Sequence, residues 1–141
     1  MNQNLQNTLY EKYPILFSNK DKGRKESCMS YGIETNDGWF QIISSLCFLI
    51  DQHEKNVLAK LKYEGKQESE YTPVTFDQVK EKFGGLRVYY SGGDDYIGGA
   101  VSMAEAMSYK TCEVCGNKGE PNKGGWIKTL CESCRNEKQT N

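Results

Sequence analysis

Two cysteine pairs, Cys112-Glu-Val-Cys115 and Cys131-Glu-Ser-Cys134, stand near one end of the chain with fifteen residues between them. Each C-x-x-C turn aims two sulfurs at one point, and the spacer is long enough to fold as a hairpin that returns the second pair to the first. That is the spacing of a four-thiolate zinc site. A tetrahedron of four thiolates leaves no position for water or substrate, so the expected cofactor is one structural Zn2+ on Cys112, Cys115, Cys131 and Cys134. The function is then sought on the surface.

The sequence around the pairs fits this reading. Gly116 permits the tight turn in which backbone amides face the sulfurs. The spacer is rich in turn formers from Lys118 to Gly125, then alternates through Trp126-Ile-Lys-Thr-Leu130 as a strand delivering Cys131. The second pair opens a helix with two ligands in its first turn. A treble clef or a zinc ribbon has this layout, and the treble clef fits better. Cys28 and Cys47 stand alone and read as buried, inert thiols.

Other chemistries are not expected. The histidine, glutamate and proline-preceded cysteine pair of nucleobase deaminases are missing, since Glu54 follows His53 directly and no proline precedes either pair. A redox C-x-x-C requires a strand–helix context that this chain does not offer. Gly84-Gly85 and Gly92-Gly93 lack the surroundings of a dinucleotide fingerprint and read as turns. His53, the only histidine, lies on an apolar helical stripe and reads as a packed, hydrogen-bonded side chain. The chain is therefore not expected to be an enzyme.

The positioning elements follow from periodicity. Leu5, Leu9 and Tyr13 predict a short helix ended by Pro14. A polar loop over 18–27 precedes a short strand within Met29 to Ile33. Trp39, Ile43, Leu46, Ile50, His53, Val57 and Leu61 predict a long amphipathic helix over about 37–63, capped by Asn36 or Asp37, with a break near Asp51 to Glu54 as the alternative. Thr75 and Gln78 form a capping-box pattern for a helix to Phe83 with Phe76, Val79 and Phe83 inward. Leu86-Arg-Val-Tyr-Tyr90 alternates as a strand, and Ile97, Val101, Ala104 and Met107 or Ser108 mark a helix that Asp94 or Asp95 caps. The fold class is α+β: a helical part with a small β-sheet over 1–110, a four-cysteine zinc module over 111–136 and a flexible tail over 137–141.

The charge balance narrows the partners. Eighteen Lys and Arg against 19 Asp and Glu leave a formal charge of -1. A dedicated duplex binder needs a cationic excess, and a bulk mimic of DNA needs an anionic one. The run Lys20-Asp-Lys-Gly-Arg-Lys25 reads as a solvated loop. Arg87, Tyr89 and Tyr90 beside Lys80 and Lys82 can form a base-stacking and phosphate surface or, more simply, a half-buried strand with aromatic core positions. No apolar stretch approaches membrane-spanning length and no signal peptide is evident, so a cytosolic protein is expected.

The segments Gly38-Trp-Phe40, Val79-Lys-Glu-Lys-Phe-Gly-Gly-Leu-Arg-Val-Tyr-Tyr90, Ala104-Glu105, Thr111-Cys-Glu-Val-Cys-Gly116 and Gly124-Gly-Trp-Ile-Lys-Thr-Leu-Cys131 together resemble a family of small phage and prophage zinc-finger proteins. Members commonly carry a histidine near the last ligand position, where this chain has Cys134; zinc accepts either donor. The chain is also similar to the zinc-containing type II-A anti-CRISPR proteins of streptococcal prophages. That resemblance implies binding to the host type II CRISPR nuclease, in the host cytosol, and a block of target-DNA loading or cleavage by protein contact. Two other classes remain open: a zinc-finger nucleic-acid-binding regulator, and a protein that sequesters a small nucleotide signal.

Overall fold

The computed structural model describes residues 1–137. Helix α1 (Gln3–Lys12) begins where the Asn2 side chain accepts the Leu5 N–H at 3.0 Å and stops at Tyr13, just before Pro14. Short 3-10 turns at Ser18–Asp21 and Cys28–Tyr31 lead to β1 (Ile33–Glu34). The long helix α2 (Phe40–Tyr63) follows a 3-10 turn at Asp37–Trp39. Strands β2 (Thr75–Lys82) and β3 (Gly85–Ser91) form a hairpin, and α3 (Asp95–Ser108) completes the body. The three strands make one sheet in the order β1-β2-β3, with β1 parallel and β3 antiparallel to β2. The last part holds the short pair β4 (Glu120–Pro121) and β5 (Thr129–Leu130), then α4 (Glu132–Glu137). The architecture is α+β, with the four cysteines grouped in this last part. The expected tail over 137–141 falls, apart from Glu137, outside the described residues.

Helix α2 runs unbroken for 24 residues, so the break considered near Asp51 does not occur. At 1.5 Å per residue it is about 36 Å long. Trp39, Ile43, Leu46 and Ile50 are buried with Phe17, Phe76, Leu86 and Ile97 in one core. Complete burial of each such side chain contributes roughly 1.5–3 kcal/mol. Asn36 stands at the N-cap of the 3-10 turn that leads into α2, but its side chain makes no capping hydrogen bond, and Asp37 does not cap either. The Asp37 carboxylate instead accepts from the Asn2 backbone and side chain, both at 2.7 Å, which holds its pKa below the usual carboxylate range. His53 does pack as expected: its ring stacks on Tyr96 at 4.1 Å between centroids, and Nε2 meets Asp94 Oδ2 at 2.7 Å. Asp94 also caps α3 through the amides of Tyr96 and Ile97.

The helix expected over Thr75 to Phe83 is strand β2. A β-bulge explains the misleading pattern. The register slips between Phe76 and Gln78, so Asp77 is an extra residue and Phe76 and Val79, three apart, both reach the core. The buried Asn19 amide donates to the Phe76 carbonyl at 2.9 Å, and Asp77 is held by Asn19 and by the Ser91 hydroxyl at 2.7 Å. Phe83, expected inward, is 68% exposed. Within Met29 to Ile33 only Ile33 enters a strand, and Cys28 is exposed, contrary to expectation, because it opens a surface 3-10 turn. Cys47 is buried on α2 with its thiol pKa pushed up by desolvation.

Side chains of α3 close the β3 edge of the sheet. Ser108 Oγ accepts the Leu86 N–H at 2.8 Å and Glu105 Oε1 accepts that of Val88 at 3.0 Å. An edge strand whose donors are taken in this way cannot template another chain along that stretch. No helix among the described residues is long and apolar enough to cross a membrane.

Candidate metal centre

The first cysteine pair lies in a knuckle that follows α3. Thr111 pairs with Lys118, the Cys112 amide donates to Asn117 O at 2.7 Å, and the Gly116 amide returns to Cys112 O at 2.9 Å. Gly116 has φ +79°, the left-handed conformation that a glycine adopts without penalty. The chain then forms the β4–β5 hairpin, and Cys131 and Cys134 sit at the start of α4. Knuckle, hairpin and helix follow one another in the order of a treble clef. Within the stretch expected as a strand from Trp126, only Thr129 and Leu130 are paired; Trp126 is 80% exposed.

The structure brings the four sulfurs together, all within 4.8 Å of one another, with Cys115 Sγ and Cys131 Sγ 3.6 Å apart. Thiolates 2.3 Å from a tetrahedral zinc lie about 3.8 Å from each other, so the donor set and spacing fit one such ion. A disulfide requires about 2.05 Å between sulfurs, and every cysteine here is a free thiol. Cys112 and Cys134 are buried, Cys131 is half-buried and Cys115 is exposed. When bound, a divalent ion would offset half of the charge of four thiolates and cross-link knuckle to helix.

The groups around the cluster favour ionisation of one sulfur and oppose that of two others. Burial opposes ionisation of Cys112, but the backbone amides of Cys115, Cys131 and Val114 outweigh it and bring the thiol down to about 6. With one sulfur charged, its neighbours resist. Sulfur-to-sulfur hydrogen bonds with Cys131 and Cys115 push Cys134 up, and Cys115 also rises, although the amide of Asn117 pulls it the other way. Four negative sulfurs at this distance require a counter-ion.

The module is bolted to the body by contacts that sequence spacing does not reveal. Trp39 Nε1 donates to Thr111 O at 2.8 Å, and the Gly38 amide donates to Glu113 O at 2.8 Å. Glu113, between the first two cysteines, is 2% exposed and turns away from the sulfurs. Its Oε1 accepts the Asn36 amide at 3.1 Å, while Oε2 lies 3.2 Å from Lys128 Nζ, which also meets Glu81 Oε2 at 2.8 Å. Thr129 Oγ1 donates to Gly84 O at 2.6 Å, tying the hairpin turn of the body to β5. Asn36 and Glu81, the partners that Glu113 and Lys128 find in the body, lie on segments distant in sequence. The only sequence signal for this joint is Gly38, whose lack of a Cβ lets the knuckle approach.

Comparison with protein-family models, with curated proteins and with solved structures finds no match, so the reading of this centre rests on its own geometry.

Proposed function

We propose that the four cysteines hold one structural zinc and that the protein is a phage-encoded inhibitor of the host type II CRISPR nuclease, acting by protein contact and not by catalysis. The observation that carries a protein-contact role is an uncovered two-helix face. Leu49 of α2 and Met103 and Met107 of α3 are 42%, 64% and 50% exposed, and they border a groove floored by Ile42, Leu46 and Ala104. Methionine is unbranched and polarizable, so such a face adapts to an apolar partner surface. The near-neutral charge argues against imitation of DNA and favours docking on a protein lobe. The identity of the target rests on the general resemblance to zinc-containing type II-A anti-CRISPR proteins.

The test joins binding to activity. Protein added to guide-loaded type II nuclease is expected to co-purify with it and to reduce target-DNA cleavage in proportion to the inhibitor ratio. Met103→Glu is expected to lose both effects while retaining zinc. No complex and undiminished cleavage across several streptococcal nucleases would remove this reading.

A further inference from the structure

We infer that the cleft between the β2–β3 turn and the loop preceding β5 binds single-stranded nucleic acid, with bases stacked on Phe83 and Trp126 and phosphates held by Lys80 and Lys82. The cleft has a volume of about 410 Å³ and is lined chiefly by these four side chains and Ile127. Its two walls come from segments more than forty residues apart, locked together by Thr129 to Gly84 and by Lys128 to Glu81.

The two aromatic residues make little sense as structural ones. Phe83 is 68% exposed and has φ +53°, a conformation that bulky residues avoid. Trp126 is 80% exposed, yet its loop is fixed: Asn122 Nδ2 donates to Gly124 O and Trp126 O, and Asn122 Oδ1 accepts the Lys128 amide. Large rings presented to solvent on a fixed backbone are the platforms on which unpaired bases stack.

Charge on the same face suits a phosphate chain. Glu81, the acidic side chain in the lining, is taken by Lys128 and by the Gly84 amide. Lys80 and Lys82 form no ion pair among the described residues; Lys82 Nζ lies 5.7 Å from the Phe83 ring centroid. Away from the turn, Lys80 is in register with Arg87, and Gln78 with the 44%-exposed Tyr89. Glu34, beside Lys80 across the other strand pair, accepts from Gln78 Nε2 at 3.1 Å. From Lys82 to Gln78 is about 13 Å along the strand, so cations and a further aromatic continue the track for a short run of nucleotides. An extended acidic peptide fits less well, because Ser108 and Glu105 already occupy the β3 edge donors that strand addition would use. A duplex fits less well because the whole molecule carries a charge of -1.

The test uses full-length, zinc-loaded protein with fluorescein-labelled short oligothymidylate and oligouridylate, read by anisotropy and by tryptophan emission. Trp39 is fully buried, so quenching reports on Trp126. Expected are quenching of emission, affinity that falls as salt rises from about 50 to about 200 mM, and weakening by roughly 5- to 100-fold for Trp126→Ala. Phe83→Asn and Lys82→Ala are expected to weaken binding while zinc content and circular dichroism stay unchanged. A preference between the two oligonucleotides would identify DNA or RNA as the ligand. No anisotropy change up to about 100 µM, the weak end of non-specific binding, would overturn the inference. So would wild-type affinity in Trp126→Ala and Phe83→Asn, or binding of an acidic peptide without binding of either oligonucleotide.

Discussion

Phe83 occupies the first central position of a two-residue hairpin turn, with Gly84 second, at φ +53° and +77°. Turns with both central residues at positive φ favour Asn-Gly or Gly-Gly. A side chain with a Cβ in the left-handed region costs about 1–2 kcal/mol, and the mostly exposed ring recovers little of this by burial. Phe83→Asn is therefore expected to raise unfolding stability by about 1 kcal/mol, seen as a higher urea midpoint at unchanged slope. A loss of stability would mean that the ring supports the fold. Single residues were legible in the sequence to the extent that their partners were close in it. The four cysteines announce each other through spacing, and Asp94 caps the helix that begins at the next residue. Glu105, Ser108 and Glu113 gave no such sign, because the amides they satisfy lie 17, 22 and 77 residues away.

At the scale of elements, long regular helices were readable and interrupted strands were not. The α2 stripe kept its spacing over 24 residues, whereas the bulge at Asp77 gave β2 a three-residue apolar interval that imitates a helix. The joint between α2 and the knuckle is set by one close approach. A Cβ on Gly38 would run into Cys112 O and come within 2.6 Å of both Glu113 O and Gly116 N. All three are backbone atoms that cannot swing aside, so Gly38→Ala is expected to cost about 2 kcal/mol and to hasten zinc release to a chelator. Gly99 is the control: it lies inside α3 with open space around it. Gly99→Ala is expected to stabilise by up to about 1 kcal/mol and to leave zinc release unchanged. Thermal unfolding followed alongside a colorimetric zinc assay distinguishes the two. Equal behaviour of both variants would disconnect the helix start from the metal centre.

At the scale of the whole molecule, two parts of very different self-sufficiency share one interface. The body has a core of twenty buried residues among those described, while the module's own cluster is Cys112, Leu130 and Cys134 with Cys131 against it. So small an apolar cluster cannot by itself offset the entropy of ordering the knuckle, hairpin and helix, and a metal ion on the four cysteines would supply the difference. Chelation, or Cys112→Ser, is therefore expected to release about one zinc per chain and to melt the module while the body stays folded. Hydrogen exchange resolves the two parts. The amides of Cys112, Glu113 and Gly119, bonded to Asn117, Thr129 and Lys110, should lose protection, whereas those of the β2–β3 ladder should keep it. Collapse of both together would make the module integral to the body's stability. Because one wall of the Phe83–Trp126 cleft belongs to the module and the Leu49–Met103 groove belongs to the body, metal removal also separates the two surfaces. Oligonucleotide binding should vanish with the zinc, and contact through the helical face should survive it.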